Sequence, residues 1–150
     1  MMNIVAAIIA GLIGTVVITM FMSMAPKMGM PKMDMVGMLG SMFGTPSNRG
    51  LGLFIHLMMG VVFGLVYAYL WSAGVGSATL VGGIVFGIVH WLATGMMMAP
   101  MPLMHAGIKS GDVPAPGAYM IKNGGMKSFM GGLVGHAVFG LVVALIYPLF

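Results

Sequence analysis

The sequence predicts an all-α fold: a polytopic membrane four-helix bundle built from two parallel helical-hairpin repeats. Three observations predict it. Only 5% of the 150 residues are charged and 60% are hydrophobic, against about 25% charged in a soluble domain. Four apolar runs, each near the roughly 20 residues that a membrane helix needs, contain no Asp, Glu, Lys or Arg. The second and fourth of these runs align with each other without a gap.

The chain reads as one transmembrane domain over 1–150, with spans at about 4–24, 51–71, 77–98 and 129–150. Lipid offers no hydrogen bonds to a bare backbone, so each run must be helical. The first run lacks a basic leading segment. Ser23-Met24-Ala25 resembles a small-residue cleavage site, but Pro26 would follow the cut, so a retained helix is expected. Residues 72–76 between the second and third runs predict a tight hairpin turn. Pro148 falls in the last turn of the fourth run, where a missing amide is tolerated.

The other two connections, about 25–50 and 99–128, are long. They hold every basic residue (Lys27, Lys32, Arg49, Lys109, Lys122 and Lys127) and both acids, Asp34 and Asp112. Basic residues collect in cytoplasmic loops. The expected placement is the cytoplasmic membrane of a prokaryote, with the long loops inside and both termini outside. Within the first loop, Pro31 to Phe43 predicts a short helix started by proline, lying in or folding back into the interface.

Residues 51–70 and 131–150 share seven identities in twenty positions, including His56/His136 and Gly60/Gly140. Met24-Ala25-Pro26 is matched by Met98-Ala99-Pro100. The repeats would be about 1–74 and 77–150, related by a pseudo-two-fold axis along the membrane normal.

Positions four apart share a helix face. Gly52, His56, Gly60 and Gly64 form one ridge; Gly132, His136 and Gly140 form its counterpart, with weaker ridges at Ala7/Gly11 and Gly83/Gly87. Such ridges let helix backbones approach closely, within the bundle, in self-association or against other membrane subunits. An intramembrane histidine faces the protein interior. His56 and His136 are expected at equal depth, either bonding neighbouring helices, serving proton transfer, or ligating haem b or a metal, with glycine leaving room for a porphyrin. His90 reads as a satisfied interior residue. Met96, Met98, Met101 and Met104 with His105 are a candidate Cu(I) set, since thioethers and imidazole suit that ion; packing explains the same methionines.

With no Cys and no Glu, paired carboxylates, a thiolate zinc site and an Asp-based triad have no residues to form them. No enzyme is expected. No glycine run has the setting of a phosphate cradle, and the net charge of +4 reads as an orientation signal rather than a nucleic-acid footprint.

Residues 25–34, Ala-Pro-Lys-Met-Gly-Met-Pro-Lys-Met-Asp, followed by Met38-Leu39-Gly40-Ser41-Met42-Phe43-Gly44, resemble the first loop of a group of small uncharacterised prokaryotic four-helix membrane proteins. The resemblance implies the four-span fold and transfers no functional residue. The leading expectation is an accessory or structural subunit of a larger membrane complex, respiratory or redox, without catalysis of its own. The alternatives are a Cu(I)- or haem b-binding membrane protein and a small transporter or channel.

Overall fold

The computed structural model describes residues 1–150. It is all-helical, and four of its helices are long and apolar enough to cross a membrane. α1 runs Ile4–Met24 and is capped by the Asn3 side chain, which accepts from the Ala6 amide at 3.0 Å. Its buried face is Ala6, Ala7, Ala10, Gly11, Gly14, Thr15, Ile18 and Met22, a stripe of mostly small residues. That stripe lets α1 take an inner position, against both the second and the last spanning helix.

α2 is Met35–Gly40. The expected start at Pro31 is not where the helix begins: Asp34 caps it, accepting from the Gly37 amide at 2.8 Å. Gly37, Met38, Leu39 and Gly40 are buried, and the helix packs on α3, Arg49–Ser72. α4 is Leu80–Met97, started by Thr79, and joins α3 through the expected tight turn. α5 is a single turn, Ala106–Lys109. α6, Ile121–Ile146, breaks at Gly124 and Gly125, so its uninterrupted length begins after them; a 3-10 turn through Pro148 ends the chain.

Glycine sets the helix pairing. A Cβ on Gly60 or Gly64 of α3 would strike Thr15 or Ala7 of α1. A Cβ on Gly140 of α6 would strike Gly83 of α4, and one on Gly87 would strike the His136 carbonyl. Gly52 instead packs against α2, and Gly132 against the Trp91 ring. The expected ridges are therefore consumed inside the chain. Outward faces carry apolar side chains such as Val62, Val66, Val81, Val85 and Val89, the surface that lipid requires.

The two long loops meet at one end of the bundle. The amides of Ala106 and Gly107 donate to the carbonyls of Met42 and Ser41 at 3.0 and 2.9 Å. The termini meet at the other end, where the Asn3 amide donates to the Tyr147 hydroxyl at 3.0 Å.

Candidate functional site

α3 and α4 are neighbours in sequence, yet their backbones stand apart and touch through side chains. The rings of Phe63 and His90 stack at 3.6 Å. Nearer the turn, an aromatic cluster closes the gap: Tyr67 meets Phe86 at 5.1 Å, and Trp71 meets Phe86 and Tyr147 at 5.5 and 5.7 Å. Nearer the loops the gap is an apolar chamber of about 220 Å³.

Thioethers dominate its wall. Met22 reaches it from α1, Met59 from α3 and Met97 from α4. Met33, Met35, Met38 and Met42 come from the first loop, and Met98, Met101 and Met120 from the second. Three of the chain's four histidines, His56, His90 and His136, line it too. The same three surround a smaller cavity of about 40 Å³ beside Phe63 and Phe139.

Hydrogen bonding orients two of these rings. The Thr19 hydroxyl donates its single proton to the Thr15 carbonyl at 2.6 Å. Towards His56 Nδ1, 3.3 Å away, it can therefore only accept, and His56 Nδ1–H is the donor. His136 Nδ1–H donates to the Gly132 carbonyl at 2.8 Å. In both neutral rings Nε2 then keeps its lone pair, the state in which imidazole binds a metal. His90 Nδ1 lies 3.2 Å from the Tyr67 hydroxyl, and its ring meets that of His136 edge-on at 4.8 Å. No three imidazole or carboxylate groups converge into a metal site by themselves.

The structure divides the residues singled out in the sequence. His56 and His136, expected at equal depth, both line the chamber. His90, expected as a satisfied interior residue, lines it too, with its Nδ1 paired to the Tyr67 hydroxyl. Of the candidate copper set, Met98 and Met101 line the chamber, whereas Met96 and Met104 are exposed. His105 is fully buried among the loops, away from the chamber wall. Its Nε2 donates to the Met38 carbonyl at 2.8 Å and its Nδ1 accepts from the Ile108 amide at 3.2 Å. Both nitrogens are engaged, so no lone pair remains for a metal. The space expected beside glycine for a porphyrin is filled by protein at Gly60, Gly132 and Gly140.

A second, more polar cavity of about 300 Å³ lies beside the chamber on the loop side. Thr19, Ser23, Lys32, Asp34 and Arg49 contribute its polar wall. Arg49 donates to Asp34 at 2.7 Å, the chain's one ion pair. That hydrogen bond holds the Asp34 carboxyl below its usual range, against partial burial, which pushes the other way. The two cavities share Met22, Met33, Met35 and His56.

Comparison with curated proteins and with solved structures finds no match. A family model does match, and it spans the helices, both loops and every chamber residue. Over residues 1–150 the chain belongs to the family of unknown function DUF6789.

Proposed function

We propose that the protein is a non-catalytic membrane protein that binds Cu(I) in the chamber, with the chamber's loop side facing the cytoplasm. The observation that carries this reading is the gathering of ten of the chain's 21 methionines and three of its four histidines on one cavity wall. Cu(I) is a soft cation that takes thioether and imidazole ligands. The oriented ring of His136 supplies a nitrogen lone pair for the bound ion; Met22, Met33, Met59, Met98 and Met101 supply sulfur from four separate segments. Packing alone needs no such convergence, because leucine or isoleucine fills apolar space as well.

The accessory-subunit reading drew on the chain's small size, its poor catalytic inventory and its glycine ridges; of these, Gly60, Gly64, Gly83, Gly87 and Gly140 pack against helices of the same chain. The haem b reading drew on the His56/His136 pair and on space beside the flanking glycines; that space is occupied by neighbouring protein atoms at Gly60, Gly132 and Gly140.

The test is anaerobic competition for Cu(I) between the detergent-solubilised protein and bicinchoninate, read by absorbance. The wild type should retain copper. His136→Ala and Met98→Leu should each weaken it about tenfold or more, which is about 1.4 kcal/mol. Met96→Leu and Met104→Leu should bind as wild type does. A wild type that yields all its copper to the chelator would sink the reading.

A further inference from the structure

Resting on the Cu(I) reading, we propose that the polar cavity beside Asp34 and Arg49 is the loading port of the chamber, that it accepts an anionic Cu(I)–thiolate complex, and that His56 is the residue that takes the ion across. His56 belongs to both cavities and stands at their junction with Met22, Met33 and Met35. On the port side the wall is polar, with the hydroxyls of Thr19 and Ser23. On the chamber side it is thioether and aromatic. An ion moving from one to the other meets His56, whose Nε2 is free because its Nδ1–H is committed to Thr19.

Charge decides what the port admits. Lys32 and Arg49 line it against one acid, Asp34, which Arg49 already neutralises. The remaining charge is positive, which repels a bare cation and favours an anion. Copper held by two thiolates is such an anion. The exchange needs no redox partner: one Cu–S bond breaks as a Cu–Nε2 bond to His56 forms, the second breaks as a chamber thioether binds, and each thiolate leaves with its electron pair and takes a proton from water. Copper stays Cu(I) throughout. Release to thioethers and His136 deeper in the chamber then frees His56 for the next ion.

Stopped-flow mixing of the full-length protein in detergent with Cu(I)–bicinchoninate, itself an anionic complex, measures the uptake rate apart from the final occupancy. His56→Ala should slow uptake about tenfold, in the range that a displaced metal-site partner produces. His136→Ala should lower occupancy while leaving the first phase at its wild-type rate. Lys32 is exposed, so Lys32→Gln does not threaten folding. It should slow uptake at low salt, and added salt should erase its difference from wild type. Wild-type uptake rates in both His56→Ala and Lys32→Gln would overturn the port while leaving the copper site standing. No uptake by the wild type would overturn the copper site itself.

Discussion

His105 shows how one residue can look like a ligand in sequence and act as a cross-link in the fold. It caps α5 through Nδ1 and ties α5 to the end of α2 through Nε2, so it joins the two long loops. His105→Ala leaves a buried carbonyl and a helix-start amide unmet, which costs about 1–3 kcal/mol. Thermal unfolding in detergent should show that loss, while Cu(I) affinity stays at the wild-type value. His105→Asn should recover part of the stability, since Asn is a good N-cap. A variant that loses copper but keeps its stability would restore His105 as a ligand. The sequence offered no way to see this role, because the Met38 carbonyl is 67 residues away from His105. Residues two apart on a helix do not share a face, so Met96 and Met98 could not both turn inward. The same principle that places intramembrane histidines at functional sites applied equally to His90.

At the scale of helices, lipid made the spans readable. The first span was expected at 4–24 and the helix there is Ile4–Met24; the helices at the second and third begin two residues early and three late, at the caps Asn48 and Thr79, and the one at the fourth, expected from 129, begins at Ile121. What local pattern cannot carry is the distance between helices. The suggested two-fold would make α3–α4 as close as α1–α6, yet α1 lies along α6 while α3 and α4 are held apart by Phe63, Tyr67, Phe86 and His90. That inequality opens the chamber, and no spacing within one helix announces it. The close pairs depend on absent side chains. Gly60→Leu and Gly140→Leu should each force backbones apart and lower stability by roughly 1–3 kcal/mol. Gly44→Ala, where nothing lies within 4 Å, should stay within about 0.5 kcal/mol of wild type. Three variants that melt together would mean the ridges face lipid.

For the whole molecule, the decisive property is which way the chamber opens. Its aromatic end lies near the paired termini, and its methionine end lies on the interlocked loops. All six basic residues sit at the loop end. By the rule that Lys and Arg remain in the cytoplasm, the proposed port is expected to open inward, towards the compartment where thiols keep copper as Cu(I), with the aromatic cluster of Tyr67, Trp71, Phe86 and Tyr147 on the outer side. A single labelling experiment tests the orientation. Ser110 is exposed on a loop, and Ser72 is exposed at the end of α3 beside the tight turn. Ser110→Cys should resist a membrane-impermeant thiol reagent in intact cells and react once the membrane is permeabilised; Ser72→Cys should react in both conditions. The chain has no native cysteine to confuse the signal. The reverse pattern would turn the port outward, where a cytoplasmic thiolate complex cannot reach it, and His56 would then face copper arriving from outside.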